Sequence, residues 1–275
     1  MGVNAVFVLT PIFYSPTLES SDKKWHNKMI DILLRRLNGM KQEVYNELSA
    51  ITENNRLYNI EKLRADGVLI PCTDGVIIGN SVTVGAGTLL LKGTVLLGTT
   101  QIGTGCFIGP DCLLYNTYVG NEAKLNAVQS FDAKICNKAD LGPFVHIRPD
   151  SVVGEEVHLG NFVEIKNSVI GKKTSVSHLT YVGDSDVGEH VNFGCGCVTV
   201  NFNGKTKSRT TVGNHCFIGC NTNLVAPVTI GDYAYTAAGS TVTEDVPENA
   251  LAIARARQEN KDGWVTRKKP YRNMD

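Results

Sequence analysis

An excess of charge of either sign is missing from this chain: 27 Lys and Arg stand against 27 Asp and Glu in 275 residues. Nothing in that balance points to nucleic acid or an anionic membrane as partner. Aromatics are scarce, at 7%, so a core must be built from the aliphatic and small residues within the 42% hydrophobic content. Long apolar runs are absent too. The opening MGVNAVFVLTPIFYS is interrupted by Pro11 and has no basic region ahead of its apolar part. It makes a poor signal peptide and is far too short to span a bilayer. The expectation over 1–20 is a short strand or partly ordered arm.

The eight cysteines (Cys72, Cys106, Cys112, Cys136, Cys195, Cys197, Cys216, Cys220) include no CxxC pair. That argues against a disulfide framework and favours a reducing, cytoplasmic setting. Cys195-Gly-Cys197 reads as small core residues rather than a metal or redox pair. A metal site would need converging histidines, but His146, His158, His178, His190 and His215 do not recur at the spacing of a structural repeat. No metal is expected. Also absent are a GxGxxG before a helix, a P-loop and a G-x-S-x-G, which excludes hydride transfer, NTP hydrolysis and serine hydrolysis.

Glycine is plentiful, at 27, and its placement belongs to a repeat. Ile78, Val84, Leu90, Leu96, Ile102, Ile108 and Leu114 lie six residues apart, and the grid resumes at Leu141, Ile147, Val153, Leu159 and Ile165 and again at Val212, Ile218, Leu224 and Ile230. A period of six is too short for any helical repeat. It fits a triangular coil in which each hexad supplies one short strand and one turn, and three hexads close a rung. Grid side chains point inward, each contributing roughly 1.5–3 kcal/mol on burial. Nine or so rungs at ~4.8 Å make a prism about 45 Å long. Glycine after a grid residue is expected to supply turn conformations barred to other residues.

Four segments flank or interrupt this coil, which is assigned to 71–246. A helical segment over 21–70 is read from Trp25, Met29, Leu33, Leu37, Met40, Val44, Leu48 and Ile51, with Ser20, Ser21 and Asp22 suited to its start and Asn54-Asn55 to its stop. Its stripe faces either a core or sister chains. An insertion over 200–211 must leave the prism as a loop, and its basic, Asn/Gly-rich composition suits reaching over a neighbour or an anionic ligand. The tail 247–275 is basic, with Arg255, Arg257, Lys261, Arg267, Lys268 and Lys269.

Chemistry-bearing residues cluster between Arg148 and Asn192. His178 lies two places after grid residue Val176, and Glu164 one place before Ile165, where it could orient an imidazole. Tyr181, Asn192, Arg148 and Lys166 fall on the same or adjoining rungs. A histidine with an ordinary pKa near 6.5 suits proton abstraction at neutral pH, while Arg and Lys suit phosphate.

From about Asn55 to Lys269 the sequence resembles the C-terminal acetyltransferase domain of the bacterial bifunctional N-acetylglucosamine-1-phosphate uridyltransferase/glucosamine-1-phosphate acetyltransferase family. The segments GPFVHIRP, GNFVEIKNS, SHLTYVGD, VNFGCG, NFNGKTK, LVAPVTIG, AAGSTVTEDVPENALAIAR and KDGW run collinearly with it. The resemblance implies an all-β fold, a left-handed parallel β-helix of hexapeptide repeats preceded by a helical segment. It implies a homotrimer with active sites between subunits, and transfer of acetyl from acetyl-coenzyme A (acetyl-CoA) to the amino group of glucosamine 1-phosphate. By position, His178 matches the general base and Glu164 its orienter. Arg148 and Lys166 match residues gripping the sugar phosphate, and Tyr181, Asn192 and Lys207 match other sugar contacts. Asn201, Phe202, Cys195, Cys220, Ala238, Arg255 and Lys261 match positions along the coenzyme. Phe202 replaces a Tyr, and Cys195 and Cys220 replace smaller residues. No nucleotide-binding loop precedes residue 55, so uridyl transfer and its magnesium site are not expected. The same architecture acting on galactosamine 1-phosphate, or serving as a non-catalytic scaffold, are the alternative readings.

Overall fold

A computed structural model of the protein describes residues 42–268. The 1–20 arm, the stripe residues Trp25 to Met40 and the tail from Lys269 lie outside those residues. The chain divides into units 1–46 and 47–275. The first unit enters the description only as the opening of helix α1 (Gln42–Ala50), where Gln42 Nε2 donates to Asn46 Oδ1 at 3.0 Å.

The second unit continues into helix α2 (Glu53–Ala65). Asn54-Asn55 is therefore no helix stop: Thr52 accepts the Asn55 N–H at 3.3 Å and caps a new helix whose first turn contains both asparagines. Ile60 and Leu63 of α2 are buried in the same core as the first rungs. Asn59 Nδ2 donates to Ile78 O at 2.7 Å, so α2 closes the N-terminal mouth of the coil and takes up a strand carbonyl there.

From Ile77 to Ala252 the chain forms a left-handed coil of parallel strands in three sheets of ten, nine and ten strands. The first face opens with Ile77–Ile78, the second with Thr83–Val84 and the third with Leu89–Leu90. Register is kept throughout: Ile78 pairs with Leu96, Leu96 with Leu114, Ile147 with Ile165, and Ile165 with Val182. Every grid residue named above is buried. A second inward set of small residues sits two places ahead of the grid, among them Thr88, Thr94, Thr100, Ser168, Thr174 and Thr180. Their hydroxyls bond nearby carbonyls, as Thr174 Oγ1 does to Gly188 O at 2.9 Å, so they cost little to bury.

The structure changes the reason for the glycines. Most of those following a grid residue, Gly171 among them, are not in the left-handed region; a Cβ on Gly171 would instead collide with the Gly188 backbone one rung on. The left-handed corner residue comes later; it is glycine at several places on the first rungs, such as Gly87 and Gly93, and usually another residue beyond them, as with Lys173 (φ 55°), His190 (φ 55°) and Phe162 (φ 59°). Close stacking of rungs, rather than backbone freedom, is what demands a missing side chain.

Boundaries also shift. Val200 and Thr210 complete their ladders, pairing with Val225 and Ser185, so the insertion is 201–209. The ladder runs past 246, since Leu251–Ala252 pairs with Tyr235–Thr236. All eight cysteines are free; Cys106, Cys112, Cys197 and Cys216 are buried as expected, whereas Cys195 is half-buried and Cys220 exposed. With the insertion looped out, His190 and His215 fall on neighbouring rungs and stack at 4.9 Å, a juxtaposition their sequence spacing hides. No helix among the described residues is long and apolar enough to cross a membrane.

Candidate active site

His178 ends the strand Ser175–His178 on the third face, just before the corner residue Leu179 (φ 47°). Its position recurs on each following rung. Leu179 N donates to Asn161 O, Gly196 N to His178 O, Asn221 N to Cys195 O and Gly239 N to Cys220 O, at 2.8–3.4 Å. The repeated bond sets Asn161, His178, Cys195, Cys220 and Ala238 in one column along the corner between the third and first faces. Arg255 lies at the end of that column, its Cδ 3.7 Å from where a Gly239 Cβ would stand. Lys261 is exposed farther along the same segment. Four of the residues matched to the coenzyme and the proposed base thus share one edge of the coil.

The His178 imidazole is exposed and has no hydrogen-bond partner among the described residues, while the residue's carbonyl accepts from Thr180 Oγ1 and Gly196 N. Beside it on the same corner Phe144 and Phe162 stack at 5.3 Å and 9°, and Leu179 continues the exposed apolar ridge.

Glu164 begins the first-face strand Glu164–Lys166, flanked in register by His146 and Tyr181. Within the chain it is held by Arg148, whose Nη1 donates to Glu164 Oε1 at 2.8 Å, and not by His178. His146, edge-on to Phe131 at 5.9 Å, has its pKa lowered, by burial first and by Arg148 as well, against the opposing pull of Glu164. This second imidazole near the site was considered in the sequence only as a metal ligand.

Lys166 ends the same strand at the corner between the first and second faces. Its Nζ donates to both oxygens of Asp184, at 3.0 and 3.2 Å. Burial alone would lower the Lys166 pKa, but the hydrogen bond and charge of Asp184 more than reverse it, and the net shift is upward. Burial likewise pushes the Asp184 carboxyl up, while Asn167, Lys166 and Asn201 together pull it below its ordinary value. Asn201 Nδ2 bonds Asp184 and reaches Tyr181 Oη at 3.3 Å. Phe202 and Lys207 pair across the 201–209 loop, and both side chains are exposed, with Lys207 in the neighbourhood of Lys166.

Asn192 stands apart. It opens the strand Asn192–Phe193 on the third face, in register with Ser175 and Phe217, whereas Arg148 and Lys166 lie at the first-face edge. One chain therefore divides the expected site between two faces and the corner separating them. A groove of about 690 Å³ lined by Thr99, Tyr118, Asp132 and Lys134, and a smaller cavity of about 260 Å³ beside Val242, Pro247 and Ala252, contain none of these residues.

Asp184 is the member that sequence reasoning missed. The signal was there: Asn116, Asp132, Asp150, Asn167 and Asp184 recur once per rung, all with positive φ at the first–second corner.

Against known proteins, the family described as bacterial transferase hexapeptide (six repeats) matches residues 209–244. The bifunctional protein GlmU of Thermoanaerobacter pseudethanolicus is 47% identical over 228 residues, covering 80% of this chain and 50% of that protein. The GlmU of Halalkalibacterium halodurans is 50% identical over 186 residues, 68% of this chain and 41% of its own length. These similarities support an acyltransferase of the hexapeptide-repeat type. It spans about half the length of the curated relatives it matches. Among solved structures, LpxA from Acinetobacter baumannii aligns at 18% identity over 74% of this chain and 79% of that one, with a TM-score of 0.35.

Proposed function

We propose that this hexapeptide transferase moves the acetyl group of acetyl-CoA to the amino group of glucosamine 1-phosphate. The observation that carries the reading is the corner column: His178, Cys195, Cys220 and Ala238 stand one above another, with Arg255 at the end. An extended thioester laid along that column would bring its acyl carbon to His178 and its anionic end to Arg255. Exposure of the imidazole, with no partner among the described residues, leaves it available to an incoming amine.

In the proposed reaction His178 takes a proton from the sugar amine as the nitrogen attacks the thioester carbonyl. The tetrahedral intermediate then expels the coenzyme thiolate, which is protonated as it leaves. General-base help of this kind contributes ~10²–10⁴-fold, and holding the amine against the acyl carbon a comparable or larger share. Arg148 and Lys166 would bind the sugar phosphate, with Tyr181 and Lys207 beside them. Asn192, on the other face, would reach the same substrate from a neighbouring subunit of a homotrimer. The exposed Phe144–Phe162–Leu179 ridge suits burial in such an assembly.

The test is a thiol-release assay with acetyl-CoA, supplying glucosamine 1-phosphate and galactosamine 1-phosphate in parallel. Release with the first supports the reading. Preference for the second replaces the substrate, and no release with either, together with no thermal shift on adding acetyl-CoA, removes the enzyme.

A further inference from the structure

Asp184 is 4% exposed, yet it is an ionised carboxylate at a left-handed corner (φ 49°). Both its backbone groups are engaged: its N–H donates to Lys166 O at 2.9 Å, and its carbonyl accepts from Thr210 N at 3.1 Å. The side chain is fuller still. Oδ1 accepts from Lys166 Nζ at 3.0 Å and Asn167 Nδ2 at 2.6 Å; Oδ2 accepts from Lys166 Nζ at 3.2 Å and from Asn201 Nδ2. A carboxylate has about four acceptor sites, so none remains for a substrate proton or a metal. Asp184 is thus neither base nor ligand.

What it does instead follows from its donors. An ammonium has three N–H groups. Both contacts go to one carboxylate, so they fix where the ammonium sits on Asp184 and leave its N–H groups on the far side for a phosphate oxygen. Asn201 begins the 201–209 loop, and Arg209 at the far end is fastened to the same corner, donating to Asp186 at 2.9 and 2.5 Å and to Asn167 O at 3.2 Å. We infer that Asp184 is a positioning residue, holding the Lys166 ammonium and the start of the 201–209 loop in one fixed relationship at the phosphate-binding edge of the site. The inference rests on the proposed role of Lys166 toward the sugar phosphate.

Asp184→Asn keeps the shape and removes the charge, and it turns an amide N–H₂ or a weaker acceptor toward donors that are already in place. Expected is a rise of about tenfold in KM for glucosamine 1-phosphate, the scale of one lost charge-assisted hydrogen bond. KM for acetyl-CoA should rise less, through the loosened Asn201 end of the loop alone. In a double-mutant cycle with Lys166→Ala the two effects should be non-additive, since each variant breaks the same contact. Tryptic cleavage at Lys205 or Lys207 should accelerate in Asp184→Asn and also in Asn201→Ala, which frees the loop and leaves the Lys166 pair intact. Equal rises in both KM values, additive effects, or unchanged loop cleavage would each overturn the assignment. A wild-type protein that releases no thiol with the sugar would defeat the functional reading alone; loop cleavage would still decide whether Asp184 fastens the loop.

Discussion

His178 and Cys195 occupy the same place on successive rungs, the amide of Gly196 donating to the carbonyl of His178 at 3.4 Å. Neighbouring strands lie ~4.8 Å apart, so whatever is attached to the Cys195 sulfur stands beside the imidazole. Alkylation should therefore report on the site. Cys220 is exposed and Cys195 half-buried, whereas burial raises the thiols of Cys112 and Cys197 to about 11. A thiol reagent near pH 7.5 should label Cys220 first and the half-buried Cys72, Cys136 and Cys195 next, and abolish activity, with acetyl-CoA protecting Cys195 and Cys220 alone. Peptide mass mapping reads the order; early labelling of Cys112 or Cys197 would contradict the burial described.

Removing the imidazole separates chemistry from folding. His178 is exposed and its ring bonds nothing among the described residues, so His178→Ala should melt within about 2 °C of the wild type, as a surface change does. Its kcat should fall by ~10²–10⁴-fold. A variant retaining full turnover would leave the proposed mechanism without its base.

The Lys166–Asp184 pair sets a pH window. The folded Asp184 carboxyl is held below its ordinary value of 3.8, so the stability it contributes is present above that value and lost as pH falls through the lowered pKa. The folded Lys166 ammonium is held above 10.5; its contribution is complete below that value and lost as pH rises through the raised pKa. Denaturant titrations of wild type and Asp184→Asn should differ by a constant amount between about pH 5 and 9 and converge outside those limits. A difference that changes near pH 6.5 would implicate a histidine instead.

Rung stacking gives two sharp stability tests. Ile165→Ala empties a fully buried grid position and should cost about 2–5 kcal/mol by chemical denaturation. Gly171→Ala adds only a methyl group, yet places it against the Gly188 backbone, so it too should destabilise despite alanine's smaller chain entropy. A neutral Gly171→Ala would return this glycine to the role of mere turn-former.

Much of this was legible in the residues. Ile78 through Ile230 announce the coil because a buried aliphatic every six positions has no other compact solution, and each of those side chains is buried. The helix break at Ile51-Thr52 was not legible, since Thr52 caps locally while the apolar stripe carries on across it. Gly171 was misread because a clash with the next rung depends on residues far along the chain. Asp184 was missed for a related reason: its three partners, Asn167, Lys166 and Asn201, lie 17 or 18 residues to either side. The division of Asn192 from Lys166 by a corner likewise appears only when faces are assigned.

Each rung of the coil touches little beyond the rungs above and below it, so the molecule's reach is set by number and not by shape. Excising 95–112 would seat Ile78 on Leu114 with the same inward side chains, since both already pair with Leu96. The proposed site residues from Arg148 onward would travel as a block, about 5 Å nearer the α2 end, with their mutual geometry preserved. Catalysis and stature are inherited separately in such a molecule: evolution can lengthen or trim the column ahead of the site without renegotiating a single contact inside it.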